Sequence, residues 1–176
     1  MSEVSEKFLA KARALLSEEY LPKIERCLER LTNEQVWWRA NAASNSIGNL
    51  LLHMCGNARQ WIVSGVGGAL DKRKRQSEFD ERRTIAKTEL LARLKSVVAE
   101  VDEVLAGLND SALLESRKIQ GYEVTVLEAV FHVVEHFSMH TGQIILMTKL
   151  IKAADLKFYD FSGGGPAHGW KAGEGR

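Results

Sequence analysis

TVLEAVFHVVEHFSMHTGQIILMTKLIKA, residues 125–153, reads as one long helix, and it carries three of the chain's five histidines, at 132, 136 and 140. Positions four apart advance by only about 40° around a helix, so His132, His136 and His140 form a ladder along one side. A shuffled chain of this composition would produce such a triple only about twice in a thousand, which leaves chance a poor explanation. Cβ atoms four apart lie about 6 Å from one another, so two imidazoles can turn onto one divalent ion at roughly 2.0–2.1 Å. The ladder offers two such pairs, His132 with His136 and His136 with His140, and spacing alone does not choose between them. A tight site needs at least a third protein ligand.

The remaining histidines are His53 and His168. His53 stands among Leu50, Leu51, Leu52 and Met54 in a predicted helix over 47–66, with Ser46 as its cap and Gly67 and Gly68 as its terminator. A lone histidine at such a core position is ordinarily a hydrogen-bonded packing residue; beside an inward-facing HxxxH in the same bundle it reads as the third ligand. The same helix presents Asn49, Asn57 and Gln60 as an amide stripe toward the pocket. His168 sits in a Gly-rich tail and reads as a mobile surface residue. Glu128, four before His132, is placed to hydrogen-bond it, whereas Glu135 reads as a solvated carboxylate. Trp37, Trp38 and Trp61 read as packing residues.

Two further segments have helical periodicity. The first spans 5–31, with Phe8, Ala12, Leu15, Ile24, Leu28 and Leu31 as its stripe, and Pro22 predicts a kink or break near 18–21. The other spans 87–108, with Thr84 or Thr88 as cap, Leu91, Leu94, Val98, Val101, Leu105 and Leu108 as stripe, and Asn109 and Asp110 closing it. SRKIQGYEVTV reads as a short extended or hairpin piece turning at Gly121, and LKFYDFSGGGPAHGW as an aromatic turn followed by a stretch that cannot propagate a helix. The basic run 72–75, mixed with Asp71, Glu78, Asp80 and Glu81, reads as a solvated, mobile loop. Four amphipathic helices with one buried face each predict an all-α, four-helix bundle forming a single domain over 1–176.

Composition narrows the functional classes. The chain has 176 residues, 45% of them hydrophobic, enough for a conventional core. Lys and Arg total 24 against 23 Asp and Glu, so no field draws nucleic acid to the surface. Cys27 and Cys55 stand alone in apolar helical patterns and read as buried thiols of a reducing compartment. MSEVSEKFLAKARALL is acidic and amphipathic where a signal peptide needs a basic start and an apolar run, and no stretch has the 18 or so apolar residues of a membrane span. A cytoplasmic protein with no nucleic-acid or membrane partner is expected; a small-molecule substrate and a homodimer are further expectations that composition does not decide.

HFSMHTGQI, residues 136–144, and SIGNLLLHMCGNARQWI, residues 46–62, resemble the DinB-like (YfiT-like) superfamily of proposed metalloenzymes. DLKFYDF, residues 155–161, looks like a subgroup of unknown function within it. The resemblance implies a four-helix bundle with a metal at one end of its core. Matched to the Gly-Gln step at Gly142 and Gln143, the ligand pair falls on His136 and His140, and the ligand of the second helix on His53. His132 is left to line the pocket or orient a ligand, with Asn57 and Gln143 as further supporting residues. Met139 and Thr141 depart from the commoner His and Arg, so no role is carried over to them.

Three neutral imidazoles leave the full charge of the ion on the site and a coordination position open, and imidazole suits Zn²⁺ and Ni²⁺. By the resemblance, the reaction is a transfer that uses a low-molecular-weight thiol, or a hydrolysis of a small molecule. The alternative readings are a bundle that binds metal or a small ligand without turnover, and a core histidine ladder with no metal. No GxSxG elbow or phosphate-cradling loop is present, so nucleophilic serine and nucleotide chemistry are unsupported.

Overall fold

A computed structural model describes residues 2–169. The first helical stretch comprises α1, Glu3–Ala14, a π-helical turn at Leu15–Tyr20, and α2, Leu21–Arg30. The kink or break expected before Pro22 does not form. The helix widens for one turn instead, and the Leu21 N–H donates five residues back to the Leu16 carbonyl. Pro22 then falls in the first turn of α2, where its fixed φ is tolerated. One ordinary and one widened turn together take about eight residues, which sets Ile24 under Leu16. The buried stripe therefore runs through Leu9, Ala12, Leu16, Ile24, Cys27, Leu28 and Leu31, not through Phe8 and Leu15.

A short helix α3, Asn33–Val36, opened by a Thr32/Gln35 capping box, leads to α4, Ile47–Ala58. Ser46 caps α4 by accepting the Asn49 N–H. A second π turn, Arg59–Ser64, extends it until Gly68 takes up φ 79°, a conformation that glycine adopts without strain. The basic run 72–75 and its acidic neighbours, expected as a solvated, mobile loop, lead into α5, Arg75–Asp80, which folds against α4. Then comes α6, Lys87–Ala106, whose N-cap is Ala86 and not Thr84 or Thr88. Asn33 supplies the missing acceptor from a distance, taking the Lys87 N–H at 2.9 Å. Asn109 caps a further short helix, α7, Asp110–Leu113, and does not close α6.

The hairpin β1, Ser116–Ile119, with β2, Tyr122–Thr125, turns through Gln120 and Gly121, both at positive φ as a two-residue type I′ turn requires. Thr125 is both the last residue of β2 and the N-cap of α8, Val126–Lys152. Its capping box occupies Glu128, which accepts the Thr125 N–H at 2.7 Å and so does not serve His132. The stripe of α8 that faces the core includes Val130, Val133, His136, Phe137, His140, Thr141 and Ile144. The first helical stretch and α4 each lie against both α6 and α8, which makes a four-helix bundle with one apolar core. No helix among the described residues is long and apolar enough to cross a membrane.

The chain beyond α8 is tied down. Leu156 and Phe158 enter the core, Arg26 donates to the carbonyls of Leu156 and Gly169, and β3, Tyr159–Asp160, pairs with β4, Ala167–His168. His168 meets the Tyr159 ring edge-on at 5.7 Å, so this histidine is a packed residue of the tail and not a mobile one. Trp170, the end of the aromatic and glycine stretch, lies outside the described residues.

Candidate metal centre

Because α4 and α8 are neighbours, their two buried stripes face each other, and each places imidazoles where the core pattern calls for apolar side chains. His53, His136 and His140 are all at least nine-tenths buried. His136 Nε2 lies 3.0 Å from His53 Nε2 and 3.1 Å from His140 Nε2. The ligand atoms of the three rings fall within 4.8 Å of one another, and this is the one such group of metal-ligating side chains among the described residues.

The outer nitrogens decide which ring atoms point inward with lone pairs. His53 Nδ1 is 2.9 Å from Glu78 Oε2, a carboxylate that can only accept, and 3.1 Å from Arg73 Nη2, which already donates to Glu78 Oε2 at 2.9 Å, so the shorter carboxylate contact puts the proton on Nδ1. His140 Nδ1 is 2.7 Å from Gln143 Oε1 and donates to it likewise. The Nε2 atoms of both rings are then acceptors aimed at His136 Nε2. His136 can give one proton to one of them and leaves the other unmet. Its own Nδ1 is buried without a partner.

Burial, followed by the neighbouring His140, His53, His132 and Arg73, pushes the His136 pKa down to about 3. Burial also lowers that of His140, against the opposing pull of Gln143. The rings of His136 and His140 are accordingly neutral at physiological pH.

These features fit a divalent ion. With bonds of about 2.0–2.1 Å, nitrogens on one ion stand about 2.9 Å apart at a right angle and about 3.3–3.4 Å apart at the tetrahedral angle. The observed 3.0 and 3.1 Å fall between those limits. Three converging Nε2 atoms with at most one proton among them form a donor set that a cation satisfies and that hydrogen bonds among the rings do not.

The structure adds two residues that the sequence reading assigned to solvent. Glu78 and Arg73 fold inward, Arg73 donating from Nε to Oε1 at 2.7 Å and from Nη2 to Oε2 at 2.9 Å, with its side chain only 4% exposed. Burial pushes the Glu78 carboxyl up, but bonds from Arg73 and His53 outweigh it and hold the group below the usual carboxylate range. Gly56 makes the room, since a Cβ there would come within 2.0 Å of Glu78 Oε1. Phe79 lies against the His53 ring at 4.7 Å. The run 72–75 thus carries an arginine that neutralises the carboxylate beside a candidate ligand. A glycine one turn after His53, facing an acidic and basic loop, was the available signal.

The other candidates divide. Gln143 touches His140 directly, whereas Asn57 bonds His132, Nδ2 to Nε2 at 3.1 Å, and not the converged rings. His132 stacks on Trp61 at 4.0 Å between ring centroids and lies 5.7 Å from His136, one turn outside the cluster. Asn49 serves the fold, holding the Glu78 carbonyl at 2.8 Å and the Ser46 cap, while Gln60 accepts from Arg73 at 2.9 Å. Glu135 is exposed. Cys27 and Cys55 are unpaired, and burial raises their thiols to about 11 and about 12. A cavity of about 330 Å³ opens beside His140, with Asn45, Leu50, Gln143 and Met147 in its walls. A second, of about 440 Å³, lies on the outer side of Arg73 and Glu78.

Over residues 3–164 the chain matches the family described as Protein of unknown function (DUF1572). No curated protein matches it. Solved structures share the fold: a DinB-like protein of Bacillus cereus, 16% identical, with a TM-score of 0.61 over 75% of this chain and 85% of that one. A conserved protein of Enterococcus faecalis is 15% identical, with a TM-score of 0.65 over 86% and 97%. A DinB-like protein of Bacillus subtilis, YjoA, is 17% identical, with a TM-score of 0.63 over 85% and 98%.

Proposed function

We propose that this chain, which belongs to the DUF1572 family and has the DinB-like fold, holds one divalent transition ion, zinc or nickel, on His53, His136 and His140 and acts on a small molecule. The observation that carries the reading is the convergence of three buried Nε2 atoms at 3.0 and 3.1 Å, two of them stripped of protons by the partners of their Nδ1 atoms. An ion bound there supplies Lewis acidity, which at an open position acidifies water or a thiol.

The protein's own residues fit that use. Glu78 and Gln143 fix the tautomer and tilt of His53 and His140. The cavity beside His140 gives a small substrate a route to the cluster, with the Gln143 amide at its edge. Cys27 is buried and Cys55 half-buried, and both thiols are held protonated, so thiol chemistry at this site draws on a free low-molecular-weight thiol. The reaction class is a transfer using such a thiol, or a hydrolysis. Unpaired cysteines suit the reducing cytoplasm.

Elemental analysis of untagged protein tests the reading. About one zinc or nickel ion per chain is expected, lost in His136→Ala and in His140→Ala. His132→Ala should keep the ion and weaken its binding by no more than about 10 to 100-fold. Absence of a stoichiometric ion after reconstitution removes the proposal, and an ion lost in His132→Ala but kept in His140→Ala moves the site by one turn.

A further inference from the structure

The cavity beside His140 has no charged side chain among the residues that line it. Leu50, Leu146 and Met147 form its apolar walls, and its polar groups are the amides of Asn45 and Gln143 and the hydroxyl of Ser44. His140 itself enters uncharged, because burial lowers its pKa against the opposing pull of Gln143. The charged groups gather elsewhere: Arg59, Lys72, Lys74 and Asp71 border the larger cavity on the outer side of Arg73 and Glu78.

The polar groups of this cavity are not equally available. Ser44 donates its hydroxyl to the Asn41 side chain at 3.0 Å. Gln143 accepts the His140 Nδ1–H through Oε1 at 2.7 Å. That bond decides which end of the amide faces the ring, and it leaves the Nε2 end, with its two N–H donors, free of any partner among the described residues. Asn45, half-buried in the link between α3 and α4, makes no side-chain hydrogen bond among the described residues. Free amide donors from two elements therefore stand in an apolar wall that also holds a candidate ligand of the ion.

We infer that this cavity selects an uncharged molecule presenting a carbonyl oxygen on an apolar body, and that Gln143 is the residue that sets the preference. The inference rests on the proposed use of the cavity as the substrate's approach to the cluster. On that reading the ion's charge is engaged by the water or thiol at its open position, so the walls must meet the substrate's remaining groups. A carboxylate or ammonium group entering here leaves water and finds no opposite charge in those walls, a loss that only a partner makes good. A carbonyl oxygen gives up less and takes an N–H from Gln143 or Asn45 in return. The rest of the molecule packs on Leu50, Leu146 and Met147. One side chain then serves both ends of the site: Oε1 of Gln143 holds the tautomer of His140, and Nε2 holds the oxygen of the ligand beside it.

Benzamide, benzoate and benzylammonium share one apolar body and differ in charge. Each is titrated into chelated, ¹⁵N-labelled full chain while the side-chain amides of Gln143 and Asn45 are followed by NMR. No ion is present, so a missing metal site and a wrong ligand class give separate results. Benzamide is expected to shift both amides and to bind at least about tenfold more tightly than either charged probe. Gln143→Leu, followed at Asn45, should lower benzamide affinity by about tenfold. Gln143→Glu keeps an acceptor for His140 but replaces the donors with a negative charge, so benzylammonium should overtake benzamide while circular dichroism stays unchanged. A charged probe that binds wild type as tightly as benzamide overturns the inference, as does benzamide that shifts neither amide at about 10 mM. An unchanged order of preference in Gln143→Glu overturns the role given to Gln143.

Discussion

Glu78→Gln changes one charge at nearly constant volume, and the structure assigns that charge two tasks. It balances Arg73, whose side chain is 4% exposed and whose Nε and Nη2 both donate to the carboxylate. Breaking a buried ion pair from one side costs about 3–5 kcal/mol. Arg73 keeps its bond to Gln60, and a glutamine at 78 can still accept, so a loss of about 2–3 kcal/mol is the expected stability effect. The second task is to hold the proton of His53 on Nδ1. A neutral acceptor does this less firmly, so ion affinity should fall by about 10 to 100-fold, or about 1.4–2.7 kcal/mol. Urea denaturation of chelated protein measures the first quantity, and competition against a chelator measures the second. Arg73→Gln should show a similar stability loss, and the double variant should lose less than the sum, because each single change strands the other partner. A folded Glu78→Gln that binds the ion within twofold of wild type would refute the assignment of Glu78 as the residue that positions His53.

Acid should destabilise the metal-free protein. A ring whose folded pKa is depressed takes up its proton more readily when unfolded, so the stability due to a neutral His136 is complete above about 6.5 and is lost as pH falls toward about 3. His140 and His132 shift in the same direction, and the lowered Glu78 adds a loss of the same sign at the acid end. Urea midpoints between pH 7 and 4 should drop by a few kcal/mol in stability and flatten in His136→Phe, and an already flat wild-type profile would contradict this. Gly56→Ala should cost about 1–3 kcal/mol and lower ion affinity together, since its Cβ enters the space of the Glu78 carboxylate; calorimetry with and without chelator separates the two effects. Chelated wild type should stay helical by circular dichroism and melt cooperatively at a lower temperature, because its apolar core is complete without the ion.

What could be read in advance was what local chemistry writes into consecutive residues. Ser46 starts α4 through its own side chain, Gly121 turns the hairpin, and the ladder of α8 puts its histidines on one face by periodicity. The choice of His136 and His140 over His132 needed the Gly-Gln step, and the structure brings those two to His53 while leaving His132 on Trp61. The misses were tertiary. Asn33 caps α6 from 54 residues away, which no local pattern encodes. The π turns insert a residue into an otherwise regular period, and the stripe of the first helix came out shifted as a result. Arg73 and Glu78 looked like solvent because a charged run usually is solvent. Their burial depends on a counter-charge, a histidine on α4 and the space left by Gly56, all of which meet only after folding.

The placement of that ion pair bears on what the centre is for. A carboxylate placed directly on a divalent ion would cancel part of its charge, as suits a site that only has to hold it tightly. Here the carboxylate stands one imidazole away, and the guanidinium of Arg73 offsets its charge at 2.7 and 2.9 Å. The pair contributes orientation to His53 and almost no net charge to the pocket. His136 and His140 are neutral by burial, so they too would leave the charge of a bound ion uncancelled. On the proposed reading, the residues around the cluster would orient the three rings and leave the charge of a bound ion uncancelled beside the cavity at His140. With an ion bound as proposed, that combination would suit polarising a small molecule more than stapling two helices, whose packing the apolar core already secures.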